Sequence, residues 1–354
     1  MLLLAEGLAE RGHDCTLITF RAEPGDPRPA GVQVVDLARR RPWDVAGFAL
    51  RLRAALRACK AEIVYSFLPA ANVLSALLSA PVPVVWGMRA SDLDLSRYGL
   101  RARLVSRAEA KLAHRAAAIV VNSEAGYRHA LARGIPAGKM TVVRNGIDLD
   151  RFQRRPNGLR GQLGIGPKTI VIGAVARPDP MKDMDGFARA LALLQAREPR
   201  AVALVAGVVP DSDKARLESL AGNVPIHWCG WRRDMEALYS ACDLFCLSSA
   251  WGEGTSNALA EAMACGVPCV ATAVGDNAIL VGDTGLLVPP ANPQALADAL
   301  VQLAALDPAV RAKLSDKARG RIATLCARDT MVDRTIEVLR GRYPTCSSGL
   351  AGRA

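Results

Sequence analysis

The sequence predicts an α/β fold: two Rossmann-like domains with mainly parallel sheets. Three observations carry this expectation. Short apolar runs alternate with longer amphipathic ones from end to end, the rhythm of repeated βαβ units. The chain has 354 residues, more than one core comfortably fills and suited to two domains of ordinary size. Between the two series of runs lies RFQRRPNGLRGQLGIGPK (Arg151–Lys168), which is rich in Gly, Pro and Arg and holds no sustained period.

The first series gives candidate strands at Cys15–Phe20, Val32–Asp36, Ile63–Phe67, Val82–Trp86, Ala118–Asn122 and Thr141–Arg144. The second gives Thr169–Ala176, Ala201–Gly207, Val224–Trp228, Asp243–Ser248, Val267–Thr272 and Gly285–Val288. The expected organisation is an N-terminal domain over 1–155, a C-terminal domain over 165–326, a helix over 327–342 packing back toward the N-terminal domain, and a mobile tail over 343–354. The long uncharged run Leu68–Met88 matches a membrane span in length, but Pro81 and Pro83 interrupt it, so it reads as helix, turn and buried strand. The start is unusual, because MLLLAEGLAERGHDCTLITF opens on a helix-like run and only then reaches a strand. In a doubly wound sheet of order 3-2-1-4-5-6 the first strand is central, and without it two neighbours are left with unpaired backbone. The expectation is an N-terminal domain lacking its first strand, with Met1 an internal methionine of a longer natural chain; a sheet built differently is the alternative.

Composition narrows the function classes. The hydrophobic share of 51% and the mixed charges belong to a folded globular protein, and the net charge of +11 favours anionic partners without choosing among them. Nucleic acid is disfavoured, because at 5% aromatic content no stacking platform accompanies the basic residues. Nine cysteines lack paired spacing. Cys242/Cys246 and Cys265/Cys269 have no histidine at zinc-ligand spacing, so they read as core thiols of a reducing compartment. No signal-peptide pattern opens the chain, and a cytoplasmic location is expected.

Two segments carry candidate chemistry. In ARPDPMKDMDGF, Arg177 and Lys182 flank a turn that follows a strand, at the sheet edge where open α/β domains bind ligands. A planar arginine fork and a mobile lysine charge suit a diphosphate, and a solvated basic turn is the competing reading. In WGEGTSNALAEAMA, Gly252 and Gly254 allow backbone amides to approach a ligand, and Ser256 stands at the N-cap position of a helix running to about Ala264. That helix start suits a phosphate. Glu261, more than a turn into the helix, can accept hydrogen bonds from ribose hydroxyls, and Glu253, in the loop, can address a sugar. A solvated turn for Glu253 and a buried, paired glutamate for Glu261 are the plain alternatives. Together these parts describe a pocket for a nucleotide carrying a diphosphate-linked group.

Their order and spacing resemble the family 4 (group 1) retaining glycosyltransferases of the two-domain GT-B fold. The resemblance runs from AEGLAERGHDCTLITF through VVRNGIDLDRF, ARPDPMKD and GWRRDMEALYSACDLFCLSSAWGEGTSNALAEAMACGVPCVATAVGDN to TGLLVPP. It implies a C-terminal domain that binds a UDP- or GDP-linked sugar donor and an N-terminal domain that binds a glycan or lipid-linked acceptor, in surface polysaccharide or lipopolysaccharide assembly. It implies Glu253, Arg177 and Lys182 as catalytic residues, with Arg177 and Lys182 on the donor diphosphate and Glu253 on the donor sugar. Gly254, Thr255, Ser256, Asn257 and Glu261 complete the donor site, with Glu261 on the ribose, and neither metal nor cofactor is implied. The chain departs from the family pattern at its start, where members normally have a strand and a glycine-rich loop before the helix and this chain lacks both, at VYSFLPAAN (Val64–Asn72), where many members carry a histidine, and at Asp276, where a second glycine is common.

Arg103, Arg107, Lys111 and Arg115 recur every four residues beside Leu100, Leu104 and Leu112. That stripe suits either a solvated helix face or contact with anionic lipid at the inner face of the plasma membrane. Two other functions fit the same pocket: a nucleotide-sugar epimerase on the same fold, and a non-catalytic or truncated sugar-nucleotide binder. If the transferase reading holds, alanine at Glu261 or Lys182 is expected to abolish transfer with the fold intact.

Overall fold

The computed structural model describes residues 1–22, 27–38, 44–89, 91 and 98–342, so the expected mobile tail lies outside the described residues. Two compact units form: Met1–Gly146 with the segment that starts at Arg328, and Ile147–Ala327. The twelve expected strands are all present, with ends within two residues of expectation. Two strands shift by two residues at both ends, the fourth to Val84–Met88 from Val82–Trp86 and the ninth to Ile226–Gly230 from Val224–Trp228, because Pro83 and Pro225 lack the N–H a ladder needs and each strand begins after its proline.

In the first unit α1 (Leu2–Glu10) precedes β1 (Cys15–Thr19), β2 (Val32–Asp36), α2 (Val45–Ala58), β3 (Val64–Phe67), α3 (Pro69–Leu78) and β4 (Val84–Met88). Then come α4 (Leu100–Leu112), β5 (Ala118–Val121), α5 (Glu124–Ala132) and β6 (Met140–Val142). The strands form two parallel sheets, β1-β2 and β3-β4-β5-β6. Among the described residues no strand pairs with both β1 and β3. Side chains from both sheets nevertheless share one core: Ile18 and Val35 pack with Val64 against Phe48, Leu52 and Leu56 of α2.

The second unit opens with α6 (Leu159–Gln162), β7 (Ile170–Val175), α7 (Met184–Gln195), β8 (Ala201–Ala206), α8 (Asp211–Ala221) and β9 (Ile226–Gly230). It continues with α9 (Met235–Ala241), β10 (Leu244–Leu247), α10 (Asn257–Ala264), β11 (Cys269–Thr272), α11 (Asn277–Val281), β12 (Gly285–Val288), α12 (Pro293–Ala304) and α13 (Pro308–Cys326). The sheet order is β12-β11-β10-β7-β8-β9, every pairing parallel. Alternate strand residues face opposite layers. Ile172, Val205 and Leu244 pack on α7, α8 and α12, whereas Val171, Leu204 and Phe245 pack on α9, α10 and α13. Burial on both faces explains why these strands read as unbroken apolar runs.

The last helix, α14 (Arg328–Arg342), belongs to the first unit, where it packs on α1. Arg11 bridges to Asp329 and Asp333, and Arg328 to Glu10. The first unit closes at Gly146, ahead of the Arg151–Lys168 segment that composition marks. Ile147 donates its amide to Cys326 at 2.7 Å, Phe152 and Leu159 are buried in the second core, and Arg160 pairs with Asp243 at 2.7 Å. These anchors are too irregularly spaced to leave a period in the sequence.

Gly207, which follows β8, holds φ at +115°, and a Cβ there would stand 1.8 Å from the Ala176 carbonyl oxygen. The start of the loop that leaves β7 and carries Arg177 approaches this closely only because position 207 has no side chain. Gly207→Ala is expected to cost about 3 kcal/mol or more, read as a fall in Tm on the order of 10 °C.

Candidate functional site

In the second unit the chain runs outward from β7 to β8 and β9 on one side and from β10 to β11 and β12 on the other. The direction reverses between β7 and β10, and the loops leaving their carboxyl ends frame the crevice of a doubly wound sheet. The β7–α7 loop carries Arg177 and Lys182, and the β10–α10 loop carries Ser249, Glu253 and Gly254. Main-chain groups tie these loops together: the Ala250 amide donates to the Met181 carbonyl and the Ser248 hydroxyl to the Lys182 carbonyl, both at 2.8 Å. The β11–α11 loop closes in from a third side. Thr272 donates its hydroxyl to the Ser249 carbonyl at 2.6 Å, and a Cβ on Gly275, at φ +59°, would stand 1.9 Å from the Glu253 carbonyl oxygen. Glycine is therefore required at 275, whereas Asp276, where the family pattern has a second glycine, is accommodated and fully buried.

Lys182 and Glu253 meet at this crevice. Lys182 Nζ lies 2.6 Å from Glu253 Oε1, which also accepts the Ser249 hydroxyl at 2.6 Å. The side chains are 14% and 7% exposed, so the pair is nearly withdrawn from water. A lysine ammonium has three donors, and Glu253 takes one of them, which leaves capacity for an anionic ligand. Arg177 is differently placed: its side chain is 60% exposed, and it pairs with Asp179 at 2.9 Å and touches the Met181 sulfur at 3.3 Å.

α10 starts where Ser256 was expected to cap it, but the Ser256 side chain makes no capping bond. Gly254, Thr255 and Ser256 are buried and Asn257 is exposed. Glu261 lies in the second turn and is partly buried; its Oε2 accepts the Tyr239 hydroxyl at 2.9 Å. Burial pushes the Glu261 carboxyl up to about 7 from its ordinary 4.5, opposed by the Tyr239 hydroxyl and the Arg151 guanidinium and reinforced by Glu236.

The structure thus brings Lys182 and Glu253 into contact and sets Arg177 on the same loop as Lys182, while Glu261 stands apart in its own network with Tyr239. Ser249, Asp179 and Tyr239 were not singled out in the sequence. Ser249 carried a signal in its place just after a strand at the ligand-binding edge, but Tyr239 had none, because its role depends on α9 packing against α10. Cys242, Cys246, Cys265 and Cys269 are buried free thiols, and among the described residues no group of three or more His, Cys, Asp or Glu side chains could hold a metal. In the first unit, Arg107, Lys111 and Arg115 are exposed as the stripe requires, whereas Arg103 is partly buried and donates to the Tyr98 carbonyl at 3.2 Å.

The ion pair revises the expectation that Lys182→Ala leaves the fold untouched. Removing the lysine strands a buried carboxylate, and we expect the variant to lose about 3 kcal/mol in denaturant unfolding, most of it recovered in Lys182→Ala/Glu253→Gln. Glu261 acts in the opposite sense on pH. Its folded-state pKa lies above the unfolded value, so it stabilises the fold below about pH 4.5 and this contribution is lost as pH rises through about 7. Glu261→Gln should therefore gain on the natural chain across that window, by roughly 2 kcal/mol at pH 8 in paired urea titrations.

Comparison with known proteins identifies the family and the fold. A family model described as glycosyl transferases group 1 matches residues 166–305, and one described as glycosyltransferase family 4 matches residues 1–151. The chain is 34% identical over 224 residues to the D-inositol 3-phosphate glycosyltransferase of Actinosynnema mirum, taking in 58% of this chain and 51% of that one. With the same enzyme of Saccharomonospora viridis it shares 34% over 217 residues, 56% and 49% of the two chains. The chain spans about half the length of the curated relatives it matches. Anabaena HepE in complex with UDP-glucose matches with a TM-score of 0.84 at 22% identity, over 96% of this chain and 94% of that one. WaaG, a glycosyltransferase involved in lipopolysaccharide biosynthesis, matches with a TM-score of 0.76 at 19% identity, over 96% and 95%. At such identities the structures speak for the fold, which is that of the GT-B glycosyltransferases. With one family model on each side of residues 152–165, the chain belongs to the family 4 (group 1) glycosyltransferases.

Proposed function

We propose that this chain transfers a sugar from a nucleotide diphosphate sugar to a hydroxyl of a glycan or lipid-linked acceptor, with retention at the anomeric carbon and without a metal. The observation that carries the reading is the Lys182–Glu253 pair at the switch point of the second unit. In the transfer the bond from the anomeric carbon to the diphosphate breaks, and its electron pair leaves with the nucleotide. The acceptor oxygen bonds to the same carbon, and the acceptor proton goes to the departing phosphate. Negative charge grows on the diphosphate as that bond breaks, and Lys182, held by Glu253 beside the exposed Arg177, is the cation to meet it. Glu253 faces the donor sugar, the amides at Gly254–Asn257 meet the phosphates, and Glu261 accepts ribose hydroxyls. Complexes of HepE with UDP and UDP-glucose favour UDP over GDP as the nucleotide.

Two features bear on the acceptor. The exposed face of α4 carries Leu100 and Leu104 and then Arg107 and Lys111, an apolar and cationic surface suited to the anionic inner face of a membrane where a lipid-linked acceptor resides. WaaG acts in lipopolysaccharide biosynthesis, which supports a role in surface polysaccharide assembly. A second reading, a phosphorylated polyol as acceptor, is favoured by the relatives named D-inositol 3-phosphate glycosyltransferases.

The test is a thermal-shift and turnover panel with UDP, GDP, ADP and their sugar conjugates, beside the Lys182→Ala/Glu253→Gln variant. A nucleotide at about one hundred times its Kd should stabilise the natural chain by about 2.7 kcal/mol and the variant far less. Turnover with lipid-linked, glycan and inositol-phosphate acceptors, with the product anomer read by NMR, then selects the acceptor and the stereochemistry. Conversion of the donor sugar without any acceptor would favour an epimerase instead, and stabilisation by no nucleotide would overturn the donor site.

A further inference from the structure

Tyr239 is a buried polar side chain that the proposed reaction leaves without a role. It is 0% exposed, its ring packs edge-on to Phe245 with centroids 5.6 Å apart, and Phe152 lies on it at 6.2 Å. Its hydroxyl donates to one oxygen of Glu261, Oε2, at 2.9 Å. The other oxygen, Oε1, accepts no hydrogen bond from any described residue and is not among the polar atoms sealed from solvent. A carboxylate anchored through one oxygen by a rigid aromatic donor presents the second in a fixed place, which a freely rotating glutamate on a helix does not do.

We propose that Tyr239 is a positioning residue for donor binding: its buried hydroxyl clamps Glu261 Oε2 and reserves Oε1 for the ribose hydroxyls of the nucleotide, so that the site selects ribonucleotides over deoxyribonucleotides. The proposal rests on the reading of Glu261 as the ribose ligand.

The chemistry supports the clamp in two ways. An ionised carboxylate only accepts hydrogen bonds, so with Oε2 engaged the remaining lone pairs on Oε1 are available to the 2′ and 3′ hydroxyls. Protonation would place a hydrogen on one of these oxygens and compete with that arrangement. Burial favours the protonated acid, and the Tyr239 hydroxyl works against it. The other groups around Glu261 are few. Glu236 of α9 disfavours the carboxylate and Arg151 favours it. Arg319 of α13 is engaged by the carbonyls of Leu149, Phe152 and Ala264, and Arg154 acts on the thiols of Cys265 and Cys242. The thiols of Cys265, which follows α10, of Cys246 on β10 and of Cys269 on β11 are pushed up by burial and stay neutral. Tyr239 is thus the hydrogen-bond donor that holds Glu261 in its accepting form.

The experiment is calorimetric titration of the full chain with UDP and with 2′,3′-dideoxy-UDP from about pH 5.5 to about pH 8.5, for the natural chain, Tyr239→Phe and Glu261→Gln. The dideoxy analogue carries the same diphosphate, so the ligand's own titration cancels between the two. Tyr239→Phe keeps the ring and its packing. It is expected to weaken UDP about tenfold at pH 7, to move the pH midpoint of UDP binding up by about one unit, and to leave the dideoxy analogue unchanged. If Glu261→Gln loses the preference for UDP over its dideoxy analogue while Tyr239→Phe keeps it at every pH, the positioning role is overturned and the ribose reading stands. If Tyr239→Phe weakens both ligands equally, the tyrosine is merely structural and the proposal fails. If the natural chain does not distinguish the two ligands, Glu261 is not the ribose ligand and both readings fall.

Discussion

The nearly buried Lys182–Glu253 ion pair is the contact on which the crevice of the second unit depends. It joins the loops leaving β7 and β10, the two strands between which the sheet reverses direction, and it does so where water is largely excluded. Two charges withdrawn from water are held only if each satisfies the other. Ser249 shares the load by donating to the same carboxylate oxygen, and the main-chain bonds through Ala250, Ser248 and Thr272 keep the loops from separating. The same contact that secures the loops holds a cation at the ligand-binding edge of the sheet. Stability and electrostatic preparation are therefore one arrangement here, which is why the lysine cannot be removed without affecting both.

Glu261 obeys a different physics on the neighbouring helix. Among the described residues no cation pairs with it directly; it is held by a neutral phenol in a setting whose burial opposes ionisation. Lys182 and Arg177 offer charge to an anion, whereas Glu261 offers directional acceptance to hydroxyl groups. The two kinds of group come from different segments: the β7–α7 loop carries the cations, and α10 carries the acceptor, eight positions after the glutamate that pairs with Lys182.

The first unit is organised around the interval in its sheet. β1-β2 and β3 to β6 form separate ladders, yet Ile18, Val35 and Val64 share a core with α2, and α1 and α14 pack together through ion pairs at Arg11 and Arg328. Helical layers rather than strand pairing hold that side of the unit together. The exposed face of α4 lies in this same unit, and its combination of Leu100 and Leu104 with Arg107 and Lys111 is independent of the sheet.

Much of this was legible in the residues. Periodicity is a local property, so the strands, the βαβ alternation, the helix start at Asn257 and the two charged segments could be read directly from the sequence. The unit boundary could not, because Ile147, Phe152 and Leu159 join the second core at irregular spacing. Nor could the partners of the charges. Lys182 and Glu253 are 71 positions apart, and whether they meet depends on β10 lying beside β7, a pairing across the chain that no local pattern encodes. Tyr239 reaches Glu261 only because α9 and α10 pack on the same face of that sheet. The sequence by itself determined the elements and the kinds of chemistry available. Strand order and helix packing decided which side chains leave water together, and burial of that kind sets both the strength of an ion pair and the proton affinity of a carboxyl.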